Sequence, residues 1–233
     1  MMTFYYINYS NYSAPGSSLI SYDHLKHACE FSCTLLEKIC TYFNLVLNGT
    51  AQLLVELKAS RLIALEKQGG GVRPIAIGES LTRLLACCVF NRLKREAAKY
   101  LEKFQWGIGV VDGAASAVHA LETLLYNQPD SVAVMLDFSN AFNAVNRTSI
   151  FQSLLNSSIP GFLPSFYSMY HQPSKLLFNS NSIDSASGVK QGDPLGPLFF
   201  CMALHSILKE FTERYPQVSI VAYMDYKRII IQI

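Results

Sequence analysis

Two apolar runs, Ser131-Val132-Ala133-Val134-Met135-Leu136 and Val218-Ser219-Ile220-Val221-Ala222-Tyr223-Met224, each stop on an aspartate: Asp137 in the first case, Asp225 in the second. Their length and their content of branched and aromatic residues predict a strand each time, and a buried one for the first. An unpaired carboxylate buried beside such a run costs several kcal/mol, roughly. Asp137 therefore needs solvent, a turn to cap, or a cation, and the rest of the chain has to discriminate among the three.

The 233 residues suffice for one large domain or two small ones, and with half of them hydrophobic and 15% charged the chain is globular, not disordered. A formal net charge of +2 is too small to imply a polyanionic partner, so any nucleic-acid contact has to come from local clusters of Lys and Arg. No apolar run approaches about 18 residues, so no membrane-spanning helix is expected. The start, MMTFYYINYSNYS, lacks the basic segment and apolar core of a secretory signal. Cysteines 29, 33, 40, 87, 88 and 201 include no CxxC pair, which favours reduced thiols and an intracellular protein. His24, His27, Cys29 and Cys33 would be strung along about three helical turns and would not converge on one tetrahedral ion.

The first twenty residues, rich in Tyr, Asn and Ser, read as a loose leader. Asp23 is placed to cap one helix reaching Asn48-Gly49. From Arg61 the period drops to two, and Gln68-Gly69-Gly70-Gly71 separates two such segments, which predicts a hairpin. Lys67 and Arg73 flank its turn, where they are either two solvated charges or cations able to close on phosphates. A long helix is predicted over 80–104, with Arg92, Lys94, Arg95 and Lys99 off its apolar stripe as a solvated face or a nucleic-acid contact. Another helix follows over 114–126. Beyond Arg147 come a short helix and an aromatic segment, then a hairpin around Asn179-Ser180-Asn181-Ser182. Asp193-Pro194 predicts the start of a helix running to about Arg214, and the glycines before it let backbone approach a ligand closely beside Gln191. The chain then turns back at Asp225 into Arg228-Ile229-Ile230-Ile231-Gln232-Ile233, an apolar terminal strand expected to have little cover and to favour aggregation.

Two strands ending on Asp, set side by side in one sheet, would bring Asp137 and Asp225 to the same divalent ions. Hard oxygen ligands suit Mg2+, and two such ions can activate a hydroxyl while stabilising a departing pyrophosphate. A cationic hairpin for a triphosphate and a Gly/Gln loop for a base pair would complete a nucleotidyl-transfer site.

The segments GGGVRPIAIGE, LDFSNAFNAVNR, SGVKQGDPLGPLFF and AYMD, in this order and approximate spacing, resemble successive motifs of the reverse transcriptase family, particularly the retrotransposon enzymes that lack long terminal repeats. The resemblance extends from about Arg61 to Asp225. It implies an α+β fold with the fingers and palm of a right-hand polymerase, the palm being a split βαβ antiparallel sheet with helices. By position, Asp137 and Asp225 match the metal-binding aspartates and the Phe138 carbonyl a further metal contact. Phe142 matches the aromatic gate against ribonucleotides. Arg73, with Lys67 as companion, resembles the contact to the incoming triphosphate, and Gln191 and Gly192 resemble the loop beside the nascent base pair. Two Mg2+ ions, an RNA template, a DNA primer and dNTPs are the implied cofactors and partners.

The expected division is 1–60 for leader and support helices, 61–130 for fingers and 131–233 for a partial palm, with the thumb absent. At position 226 the family's usual second aspartate is replaced by Tyr226, and a neutral phenol does not substitute for a carboxylate beside metal. The resemblance thus implies RNA-templated deoxynucleotide addition, impaired in this chain. The alternative is an inactive retroelement remnant that at most binds nucleic acid weakly.

Overall fold

The computed structural model describes residues 14–66, 70–224 and 226–232, the last stretch by its backbone alone, so Lys67 and Asp225 lie outside the described residues. Helices α1 (Tyr22–Phe31), α2 (Cys33–Leu47) and α3 (Val55–Lys58) lead into strands β1 (Ser60–Glu66) and β2 (Val72–Gly78), the predicted hairpin. Then follow α4 (Ser80–Leu101), α5 (Gly113–Asn127), β3 (Ser131–Asp137), α6 (Ala141–Ala144), α7 (Arg147–Leu155) and α8 (Leu163–Tyr170). The hairpin β4 (Ser174–Phe178) and β5 (Asn181–Ser185), helix α9 (Gly196–Arg214), and the pair β6 (Val218–Tyr223) and β7 (Tyr226–Gln232) complete the order.

The strands form two sheets. One has the order β2-β1-β4-β5, in which β1 meets β4 in parallel through Ser60 opposite Leu176 and Arg61 opposite Leu177. This sheet draws strands from both sides of residue 130. The second sheet, β3-β7-β6, is antiparallel throughout. Helix α9 is apolar on most faces over GPLFFCMAL and accordingly runs through the core, with Leu198, Phe199 and Met202 fully buried against Ile150 and Leu154 of α7 and Phe166 of α8. A smaller cluster of Phe104, Leu208, Val218, Ile220 and Ala222 joins α9 to the second sheet.

Six expectations change. The leader is docked where it is described: the Glu79 carboxylate accepts from the Ser18 amide at 3.0 Å and its hydroxyl at 2.5 Å, and the Ser80 hydroxyl donates to the Ile20 carbonyl at 2.6 Å. The first helix is two, because Ser32 turns its hydroxyl to the Leu35 amide and restarts the helix, while Ser21, not Asp23, caps α1 in a reciprocal exchange with His24. Strand β3 is not buried: Val132 to Asp137 are exposed on both faces, Met135 at 69%, because β3 is the sheet's edge and among the described residues little packs on it. Strands β3 and β6 are not neighbours, since β7 lies between them. The isoleucine run is therefore no uncovered edge, being paired along its backbone to β3 on one side and to β6 on the other.

Candidate active site

Asp137 is the last residue of β3, exposed, and set opposite Tyr226, the first residue of β7. Tyr226 is also opposite Tyr223, the last residue of β6, so the register brings the β6–β7 turn to the end of β3 where Asp137 stands. Among the described residues no cation pairs with Asp137 and no group of three His, Cys, Asp or Glu forms a closed metal cage. The donors offered by Asp137 and the Phe138 carbonyl are hard oxygens, the kind that suits Mg2+ rather than a softer ion.

Three of the sequence motifs are tied together by backbone. Beyond Asp137 the chain passes through Asn140, at φ 55°, into α6. There the Phe142 carbonyl accepts from the Val189 amide at 2.7 Å and the Val145 carbonyl from the Gly188 amide at 3.1 Å, which lays the 187–194 loop against α6. The same loop reaches the first sheet, where the Gln191 carbonyl accepts from the Ala76 amide at 2.8 Å. Gly192, at φ 126°, has no room for a side chain there, because a Cβ would lie 2.5 Å from the Ala76 carbonyl oxygen. Ala76 is three residues along β2 from Arg73, which is exposed. Phe142, Gln191, Gly192 and the strand bearing Arg73 are thus brought into one assembly. The half-buried Phe142 ring packs 5.2 Å from that of Phe200 on α9.

A polar network behind the loop went unread in the sequence. Tyr170 is fully buried, donates its hydroxyl to Asp193 at 2.5 Å and accepts from the Lys190 amide at 3.1 Å. Asp193 also accepts from the Leu195 amide at 3.0 Å, so it caps the turn before α9 rather than the helix itself, close to its predicted role. Arg147 donates to the Gly188 carbonyl at 2.8 Å, the Ser185 hydroxyl at 3.0 Å and the Ser187 carbonyl at 3.2 Å, with its guanidinium over the Tyr170 ring. Lys190 is buried and donates to the Lys58 carbonyl. Burial raises the Asp193 carboxyl and the Tyr170 hydroxyl above their ordinary ranges, and burial lowers the Arg147 guanidinium. Buried polar groups satisfied in this way fix one loop conformation. Only Asp193 announced itself, through the proline after it; nothing local marks the other three.

Comparison with known proteins gives a consistent result. A sequence model of the family described as Reverse transcriptase (RNA-dependent DNA polymerase) matches residues 65–231. The Retrotransposable element SLACS 132 kDa protein of Trypanosoma brucei gambiense is 28% identical over 178 residues, covering 72% of this chain and 14% of that protein. The Retrovirus-related Pol polyprotein from type-1 retrotransposable element R2 of Popillia japonica is 30% identical over 146 residues, covering 58% of this chain and 20% of that protein. The chain therefore spans a fifth or less of the length of these relatives. Among solved structures, telomerase from Candida albicans, in complex with a TWJ fragment of telomeric RNA, aligns with a TM-score of 0.54 at 10% identity, covering 78% of this chain and 40% of that one. Apo telomerase from Candida tropicalis, truncated from its C-terminal domain, aligns with a TM-score of 0.51 at 11% identity, covering 78% and 45%. At these identities the structural likeness is one of fold. No helix among the described residues is long and apolar enough to cross a membrane.

Proposed function

The chain belongs to the reverse transcriptase (RNA-dependent DNA polymerase) family, in the type carried by retrotransposable elements without long terminal repeats, and from that premise we propose that it adds deoxynucleotides to a primer 3′-OH on an RNA template. In this reading residues 61–130 are fingers and 131–233 part of a palm. Asp137, the Phe138 carbonyl and Asp225 would hold two Mg2+ ions, which when bound supply an activated hydroxyl and a stabilised pyrophosphate leaving group. Arg73, and Lys67 on the other side of the glycine turn in the sequence, offer cations to the triphosphate. The 187–194 loop carries Gln191 and Gly192 to the nascent base pair, and Phe142 crowds the 2′ position of the incoming sugar.

What carries the proposal is the joining of three motifs by the Phe142–Val189 and Ala76–Gln191 backbone hydrogen bonds beside the strand that ends on Asp137. Primer extension with an RNA template, a DNA primer, dNTPs and Mg2+ tests it: incorporation is expected, slow, and abolished in Asp137→Ala. Incorporation that survives Asp137→Ala would remove the assignment. Tyr226 opposite Asp137 favours a second reading, a nucleic-acid-binding relative without turnover, because the position lacks a second carboxylate. Under that reading the chain retains a primer–template duplex but extends it no better than Asp137→Ala does. Under the polymerase reading Tyr226→Asp raises the rate.

A further inference from the structure

We propose that Gln105 is a positioning residue for the turn between β6 and β7, gripping Met224 on both of its backbone groups so that the chain enters residue 225 along one fixed path. Its catalytic consequence rests on the reading of Asp225 as a metal-holding carboxylate; the grip itself rests on Gln105 and Met224 alone.

Met224 lies beyond the β6–β7 ladder, whose last pair is Tyr223 with Tyr226, so its amide and carbonyl have no ladder partners. It also stands at φ 52°, in the left-handed region that a methionine seldom occupies. Such a conformation persists where the surroundings over-determine it, and here they do. The Gln105 Oε1 accepts from the Met224 amide at 2.6 Å and from the Gly107 amide at 3.1 Å, while its Nε2 donates to the Met224 carbonyl at 3.3 Å. Gln105 is 3% exposed, so these bonds do not compete with solvent.

The side chain is itself held from both sides. The Ala222 amide donates to the Phe104 carbonyl and the Trp106 amide to the Ala222 carbonyl, each at 2.8 Å, making residues 104–106 a short parallel bridge on the outer edge of β6. Gly107 permits the approach, because a Cβ there would lie 2.7 Å from the Met224 Cγ and 3.0 Å from its amide nitrogen. A segment 119 residues upstream of the turn thus fixes its backbone, and what it fixes is the residue immediately before the proposed metal ligand.

Amide hydrogen exchange on the whole chain tests the grip without any need for activity. In Gln105→Leu the Met224 amide is expected to exchange faster by on the order of tenfold or more while Ile220 and Ala222 keep their protection. Gln105→Glu, which retains the Oε1 acceptor, keeps Met224 protected. Should Gln105→Leu not fold, Gln105→Asn withdraws the same amide by one methylene and is expected to deprotect Met224 in the same way. Unchanged exchange at Met224, or an equal acceleration throughout β6, would overturn the proposal. In single-turnover extension Gln105→Leu is expected to slow nucleotide addition by about 100-fold and raise the Mg2+ requirement, leaving the KM for dNTP nearly unaltered. A KM effect with an unaltered rate would overturn the catalytic consequence. Altered exchange in a chain that never extends a primer defeats the polymerase reading and leaves the grip standing; unaltered exchange in a chain that does extend defeats the grip alone.

Discussion

At Lys190, burial pushes the ammonium down from an ordinary 10.5 to about 8, with Asp193 opposing the shift and Arg147 and Lys58 adding to it. The folded chain therefore releases this proton at a lower pH than the unfolded chain. Between about pH 8 and 10.5 the unfolded state holds the extra proton, so the unfolding free energy contributed by this group rises with pH through that window and carries its full penalty below it. In urea titrations the parent should gain on the order of 2 kcal/mol relative to Lys190→Met between pH 8 and 10; a constant difference across that range would place Lys190 in water. The residues with a chemical reason to stand out in the sequence were legible as single letters, among them Asp137 at a strand end and Asp193 before proline. Lys190, Arg147 and Gln105 were not, because most of their partners are backbone groups far away along the chain, and a long polar side chain bears no local mark of the group it will meet.

Elements followed their periodicity wherever it was unambiguous. The β1–β2 hairpin, α4, α5 and α9 lie where spacing and turn residues put them, and the β4–β5 hairpin turns within its predicted stretch although β5 already starts at Asn181, since alternation and a 3.6-residue stripe are properties of the segment itself. Burial is a property of what packs on the segment, which is why β3, apolar on both faces, read as a core strand and is an exposed edge. Replacing Met135 by Lys on that edge should leave the urea midpoint stability within about 0.5 kcal/mol while reducing self-association in light scattering. A large loss of stability would mean that the strand is covered after all. The loop over 187–194 behaves in the opposite way. Gly192→Ala sets a Cβ against the Ala76 carbonyl at a backbone angle hostile to alanine, and should cost about 2 kcal/mol or more while weakening the tie between loop and β2. Full stability with unaltered dNTP affinity would show that the two can separate without consequence.

Across the whole molecule the two sheets are linked by a helical core, with the 187–194 loop bonded to β2 on one side and to α6 on the other. Motif order disclosed this family and its α+β architecture, but not the strand order: β7 runs between β3 and β6, so the two apolar strands are not neighbours. Register compensates, because a two-residue connection returns β7 opposite both Tyr223 and Asp137. In that arrangement Asp137 is the cation ligand on which the proposed activity depends. The most direct measurement is Mn2+ binding by electron paramagnetic resonance, with a primer–template duplex and dNTP present, in the parent and in the nearly isosteric Asp137→Asn. Loss of a charged oxygen ligand should weaken Mn2+ binding by at least about tenfold with the fold intact, whereas equal affinity in the two proteins would contradict the assignment of this strand end as the metal site.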